Sequence, residues 1–140
     1  MTFVEAPTPI VVDASIATAM LTEPEDPAES LWLDWLVRAR PLLAPPHVIL
    51  EVANALIRGK RLAAAEASVR LSSLEGSGLE IVDRSWLGGR ASLDLAERHG
   101  LTVYDAAYLW LAIDVDGELA TRDRALIRAA RAEGVPLALD

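Results

Sequence analysis

The 140-residue sequence contains no cysteine, which excludes a disulfide framework, a thiolate metal site and a cysteine nucleophile. It has no apolar run near the roughly 18 residues that a membrane span needs. Its first residues lack the basic start and long apolar region of a signal peptide. No GxGxxG motif follows the first apolar segment, which disfavours a dinucleotide-binding enzyme. These absences predict a cytoplasmic protein that does not enter a membrane.

Histidine and lysine are scarce, with two histidines and Lys60 as the single lysine. A metal-free ribonuclease with paired histidines is therefore disfavoured, and so is a phosphoacceptor receiver domain, which would need a late lysine. The net charge of −8 argues mildly against nucleic-acid binding. A bound cation would neutralise clustered acids locally, however, and basic runs remain at residues 58–61 and 122–131.

Apolar residues are abundant, at 52% of the sequence, and 140 residues suffice for one domain with a real core. Short apolar segments alternate with helical patterns, and strands are predicted at residues 9–13, 41–44, 79–82, 118–121 and 135–139. Helices are predicted between them, among them 45–58, 85–99 and 102–114. This alternation predicts an α/β fold in which helices cover both faces of a parallel sheet of four to five short strands.

Four acids occupy positions where a carboxylate is unusual. Asp13 ends the first predicted strand and Asp123 follows the fourth, at the edge where open α/β sheets bind ligands. Glu51 lies on a polar stripe of an apolar helix, and Asp105 is the acid of the apolar segment TVYDAAYLWLA. Ordinary structural roles remain open. The two strand-end acids could cap helices, Glu51 could lie on a solvated face, and Asp105 could form a capping box with Thr102.

Taken together, the four acids predict a metal site. The carboxyl ends of parallel strands and the starts of the following helices meet at one edge of the sheet. Carboxylates converging there would repel one another unless a cation lay among them. Carboxylate oxygens are preferred ligands of hard divalent cations, so the pattern indicates Mg²⁺ or Mn²⁺.

The segments VVDAS, LEVANAL, TVYDAAYLWLA and ATRDRAL resemble, in order and spacing, the motifs of PIN-domain nucleases. More closely, the chain is similar to VapC-type toxins of bacterial toxin–antitoxin pairs, and the resemblance extends from Ile10 to the last predicted strand. It implies a PIN-like three-layer α/β/α fold over a single domain, residues 1–140. It also implies metal-dependent endonucleolytic cleavage of RNA, with water as the nucleophile and 5′-phosphate and 3′-hydroxyl products.

The resemblance further assigns residues and partners. The acidic site residues fall on Asp13, Glu51, Asp105 and Asp123, which would act as catalytic residues and ligands of Mg²⁺ or Mn²⁺. The candidate supporting residues are Ser15, Asn54 and Thr121, where Ser15 could instead form a local cap and Asn54 could lie on a solvated stripe. The candidate RNA contacts are Arg122 and Arg124, with ordinary solvated helix charges as the alternative.

The resemblance implies two protein partners, a cognate antitoxin and a second copy of the chain in a homodimer. The segment LWLDWLV contains more apolar residues than one helix face needs for core packing, which suggests a groove or an interface as well. The alternative reading, from another functional class, is a PIN-like fold used as a non-catalytic binding subunit. An intact set of four acids argues against that alternative.

Overall fold

A computed structural model describes residues 6–139, which form four short parallel strands and seven α-helices. The strands are β1 (Ile10–Val12), β2 (Leu42–Ala44), β3 (Leu79–Ile81) and β4 (Glu118–Ala120). The helices are α1 (Ala14–Thr22), α2 (Pro27–Val37), α3 (Val48–Asn54), α4 (Ala64–Glu75), α5 (Ser85–His99), α6 (Val103–Asp114) and α7 (Arg124–Ala132). The predicted α/β fold with a parallel sheet is confirmed.

The sheet has the strand order β3-β2-β1-β4, with all neighbours parallel. Strand β1 is central and fully buried, as expected for a parallel strand covered on both faces. The register pairs Val12 of β1 with Ala120 of β4. The next residues, Asp13 and Thr121, therefore leave the sheet side by side at its carboxyl edge, although 108 positions separate them in sequence.

The core fills the space between the sheet and its helices, and α2 contributes to it on one face only. Trp32 and Trp35 are buried, and the Trp32 indole Nε1 donates a hydrogen bond to the Ser77 carbonyl at 3.0 Å. On the same helix Leu33 and Val37 are exposed, Val37 by 84%. The Trp-rich segment is thus divided between core packing and an open apolar surface.

The structure corrects the predicted last strand. Residues 135–139 contribute an isolated bridge between Leu137 and Leu119. Two hydrogen bonds join the segments, from the Leu119 amide to the Pro136 carbonyl and from the Ala138 amide to the Leu119 carbonyl, each 2.9 Å. Pro136 has no amide hydrogen to continue a ladder, so the apolar run VPLAL does not become a full strand.

The helix predicted over residues 45–58 begins at Val48, because Pro45 and Pro46 form the turn that precedes it. Helix α3 then continues as a π-helical turn, Ala55–Gly59, closed by a 2.9 Å bond from the Lys60 amide to the Ala55 carbonyl. Between residues 6 and 139, no helix is long and apolar enough to span a membrane.

Candidate active site

Asp13 follows β1 directly and is buried at the start of α1. Its Oδ1 atom accepts hydrogen bonds from the Ser15 amide at 3.0 Å, the Ser15 hydroxyl at 2.6 Å and the Ile16 amide at 3.2 Å. Asp13 is therefore the N-cap of α1, as the structural alternative predicted. Burial raises the pKa of this carboxyl, and the hydrogen bonds from Ser15 and Thr121 partly oppose that rise.

Thr121 joins the two strand ends. Its hydroxyl donates a hydrogen bond to Asp13 Oδ2, and the Thr121 Oγ1 atom itself accepts from the Asp123 amide at 3.0 Å. Asp123 caps α7, since its Oδ1 accepts from the Leu126 amide at 2.8 Å. Each of the two strand-end acids thus uses one oxygen as a cap. The second oxygen of Asp13 faces Thr121, and no hydrogen bond among residues 6–139 uses the second oxygen of Asp123.

Glu51 is held by two aromatic neighbours. The Tyr108 hydroxyl, on α6, donates a 2.6 Å hydrogen bond to Glu51 Oε1, and His47 Nε2 lies 3.5 Å from the same oxygen. His47 Nε2 also lies 2.9 Å from the Tyr104 carbonyl, which fixes that nitrogen as a donor. Burial and the hydrogen bond to Glu51 raise the pKa of Tyr108 far above its usual range, so its hydroxyl remains a donor.

Asp105 lies in the first turn of α6, and only half of the predicted capping box forms. The Thr102 hydroxyl accepts from the Asp105 amide at 3.1 Å. Within residues 6–139, the reciprocal bond, in which the Thr102 amide would donate to the Asp105 carboxylate, is absent. Burial raises the pKa of Asp105, and the negative charges of Asp123 and Glu51 raise it further, while a hydrogen bond with the Thr102 side chain partly opposes the rise.

Some of the four acids influence one another electrostatically, since the charges of Asp123 and Glu51 act on Asp105. The charges of Asp13 and Asp105 also contribute to the raised pKa of Tyr108, which lies among them. In the described part of the chain, however, no three His, Cys, Asp or Glu side chains form a ready-made metal-binding group. The all-carboxylate set nevertheless fits a hard divalent cation, which would offset the mutual repulsion of these charges.

The candidate supporting residues differ in the hydrogen bonds that their side chains form. Ser15 and Thr121 both bond to Asp13, and the Ser15 hydroxyl also accepts from the Arg122 amide at 3.2 Å. Asn54 is exposed one turn beyond Glu51, with no hydrogen bond to its side chain among residues 6–139.

Of the two arginines proposed as RNA contacts, Arg122 is already paired. Its guanidinium bonds to Asp26 at 2.8 Å through Nη1, which lowers the pKa of Asp26 to about 2. Arg122 also lies 3.9 Å from Glu23. Arg124 is exposed at the start of α7, and no described residue forms an ion pair with it.

The sequence reasoning missed Tyr108 as a functional residue. Its position three residues after Asp105 places both on one face of α6, and a buried tyrosine hydroxyl normally needs a partner. That signal could have paired Tyr108 with an acid on another element. His47 was noticed in the polar stripe, but its contact with Glu51 was not predicted.

Comparison with known proteins identifies a family and structures with the same fold. The family model described as PIN domain matches residues 10–132. Comparison with curated protein sequences gives no match. PAE2754 from Pyrobaculum aerophilum superimposes with a TM-score of 0.71 at 25% identity, covering 94% of this chain and 85% of that one.

Two further structures share the fold at lower identity. VapC20 from Mycobacterium tuberculosis, described as a sarcin-ricin loop cleaving toxin, gives a TM-score of 0.68 at 17% identity, with 86% of this chain and 94% of that chain covered. FitAcB from Neisseria gonorrhoeae gives 0.63 at 18% identity, with coverage of 91% and 95%.

Proposed function

This chain belongs to the PIN-domain family, whose members are generally nucleases, and from that premise we propose that it is a divalent-metal-dependent endoribonuclease and the toxin of a toxin–antitoxin pair. The observation that carries the proposal is the linkage of Asp13 to Thr121 and Asp123 across two strand ends, with the charges of Asp123 and Glu51 raising the pKa of Asp105. Capping accounts for one carboxylate oxygen of Asp13 and one of Asp123. It does not account for the influence of these like charges on Asp105.

Asp13, Glu51, Asp105 and Asp123 would hold Mg²⁺ or Mn²⁺. A divalent cation bound there supplies an activated water and neutralises charge that develops on the phosphoryl oxygens. Hydrolysis would leave a 5′-phosphate and a 3′-hydroxyl.

The surrounding residues position the acids. The Thr121 hydroxyl orients Asp13 by donating to Oδ2, while Ser15 fixes the opposite oxygen. The protonated Tyr108 hydroxyl occupies Glu51 Oε1 and leaves Oε2 free to turn towards the other acids. Arg124, exposed beside Asp123, is available to contact an RNA phosphate, whereas Arg122 is engaged by Asp26. The net charge of −8 makes such local cations necessary for RNA binding.

The toxin assignment rests on likeness and on exposed apolar surface. VapC20 is described as a toxin that cleaves RNA of the sarcin-ricin loop, and FitAB was solved bound to a DNA fragment. Here the open side of α2, with Leu33, Leu36 and Val37 exposed, fits an apolar face of an antitoxin. A homodimer would cover further apolar side chains elsewhere on the molecule.

A second candidate is a non-catalytic binding subunit with the same fold. It is favoured by the lack, among residues 6–139, of three acidic or histidine side chains already grouped for a metal. The affinity for Mg²⁺ separates the two candidates. A nuclease site should bind Mg²⁺ specifically, with the cation drawing the acids together, whereas a purely structural site would show no specific Mg²⁺ affinity.

Cleavage of single-stranded RNA by the purified chain, in Mg²⁺, in Mn²⁺ and in excess chelator, tests the proposal. The parent should cleave in either metal and not in chelator, and Asp13→Asn should abolish cleavage while keeping its far-ultraviolet circular dichroism. Asparagine retains an oxygen that can cap α1, so the fold should survive. Asp94→Asn, which removes only a surface pair with Arg98, is the matched control. Undiminished cleavage in chelator, or by Asp13→Asn, would refute the proposal.

A further inference from the structure

A cleft of about 200 Å³ lies between α5 and α6, and we name it the α5–α6 cleft. Its walls are largely apolar and aromatic. The residues that define it for this argument are Pro46, His47, Gly88, Gly89, Tyr104 and Trp110. Neither the metal chemistry nor the toxin assignment uses this space.

The cleft adjoins two of the acids, Glu51 and Asp105, through two of its own residues. His47 lines the cleft while its Nε2 atom lies 3.5 Å from Glu51 Oε1. Tyr104 immediately precedes Asp105, and its ring lies 5.8 Å from the His47 ring between centroids. Tyr104 is 65% exposed, so an aromatic face is available at the mouth of the cleft beside the acids.

Two consecutive glycines near the start of α5 line the cleft. Glycine inside a helix destabilises it by about 0.5–1 kcal/mol relative to alanine. A Cβ atom at Gly88 would lie 2.9 Å from Arg84 Cβ and 3.3 Å from Trp110 Cζ3, so close packing explains that glycine. At Gly89 a Cβ atom would meet nothing within 4 Å. The space beside this exposed glycine is therefore open, and a larger side chain at position 89 has room to enter it.

We propose that the α5–α6 cleft receives an unpaired nucleobase of single-stranded RNA, from the nucleotide next to the scissile phosphate. This inference rests on the proposed nuclease function. Unpaired bases are recognised by stacking on aromatic side chains in apolar surroundings, and bases held inside a duplex are not available for such contacts. A small cleft that adjoins the acids fits one planar base better than it fits a protein segment, which would need an extended groove. The substrate class is therefore single-stranded RNA, or an RNA loop with splayed bases.

Binding is tested directly by nuclear magnetic resonance, with the four nucleoside 5′-monophosphates as probes and ribose 5-phosphate as the base-free control. At least one nucleotide should shift the amide signals of Gly88 and Gly89 and the indole signal of Trp110, and ribose 5-phosphate should not. Equal shifts with ribose 5-phosphate, or nucleotide shifts confined to other regions, would overturn the proposal.

The consequence for cleavage is tested with Gly89→Leu, which fills the cleft, and Gly59→Leu as the matched control. Gly59 also has open space around its Cβ position but lies outside the cleft. The substrates are an RNA that the parent cleaves and the same RNA with abasic nucleotides beside the cleaved bond. The parent should prefer the normal RNA in kcat/KM by at least about fivefold, the lower end of one stacked base.

Gly89→Leu should remove that preference and Gly59→Leu should keep it. Tyr104→Ala, which deletes the exposed ring, should lower the preference too and provides a second variant if Gly89→Leu fails to fold. Equal cleavage of both RNAs by the parent would overturn the base pocket while leaving the nuclease intact. Absence of any metal-dependent cleavage would instead overturn the proposed function, and the resonance experiment would still decide the cleft. Suppose instead that Gly89→Leu changes the oligomeric mass while nucleotides cause no resonance shifts in the parent. That result would show that the cleft contacts a protein, and it would also overturn the proposal.

Discussion

Replacing Tyr108 by phenylalanine should loosen Glu51 while leaving the core intact. The ring of Tyr108 is buried and stays in place, so the substitution removes only the hydroxyl and its 2.6 Å bond to Glu51. Hydrogen bonds to charged groups contribute about 1.5–3 kcal/mol. Because 35% of the Glu51 side chain is exposed, water replaces the lost donor in part. We therefore expect the free energy of unfolding to fall by about 1–2 kcal/mol.

Thermal melts and Mg²⁺ titration calorimetry measure the two consequences. For a chain of this length, the loss corresponds to a decrease in Tm of about 3–6 °C in chelator. Removing a residue that orients a metal ligand typically weakens metal binding by about 10-fold or more. Tyr104→Phe is the matched control, since it removes an exposed hydroxyl from the same helix and should change neither quantity. If Tyr108→Phe kept the parent's Tm and Mg²⁺ affinity, the bond to Glu51 would be incidental and the positioning role would be wrong.

Two further predictions concern the acids. Burial raises the folded-state pKa of Asp13 and Asp105 above 3.8, and neighbouring charges raise that of Asp105 further, so the folded state binds more protons than the unfolded chain between the two pKa values. Their contribution to stability is present below the unfolded pKa and is lost as pH rises through the folded one. Melts in chelator from about pH 4 to 7 should show this loss, and Asp105→Asn should reduce it and melt above the parent at neutral pH; a lower Tm would make Asp105 structural. Expression of the chain alone should arrest growth, whereas Asp13→Asn should be tolerated; equal toxicity would exclude RNA cleavage as the cause.

Hydrophobic patterning predicted the strands and helices well, because burial determines where apolar residues occur along each element. Glycine positions helped as well, since α5 ends before Gly100, which adopts a left-handed conformation with φ 64°. The pattern failed at residues 135–139, where apolar character suggested a strand but Pro136 cannot extend a ladder. It also did not reveal the π-helical turn after α3, because a π turn and an α turn expose similar faces.

The site was predictable where strand geometry alone determines position. Asp13, Thr121 and Asp123 follow paired parallel strands, so the sheet register brings them together. The role of Tyr108 was not predicted, because α6 is almost wholly apolar and its pattern does not single out this residue. The hydroxyl of Tyr108 needs a hydrogen-bond partner only because the residue is buried.

The engagement of Arg122 by Asp26 joins residues 96 positions apart. The periodicity of apolar and polar residues cannot predict a contact between residues so far apart in the sequence. Local sequence patterns therefore identify candidate ligands at strand ends, whereas the side chains that orient or occupy them depend on how distant helices pack.

The insertion of β4 beside β1 has a consequence for the order of events during synthesis. Asp13 is made early, but its partner Thr121 emerges only after some 107 intervening residues have been added. Because chains grow from the N-terminus at about 5–20 residues per second, Asp13 exists for several seconds before the strand that precedes its partner is made. A nascent chain that lacks β4 cannot form the bond between Asp13 and Thr121. The topology thus makes assembly of the candidate site wait for the synthesis of β4.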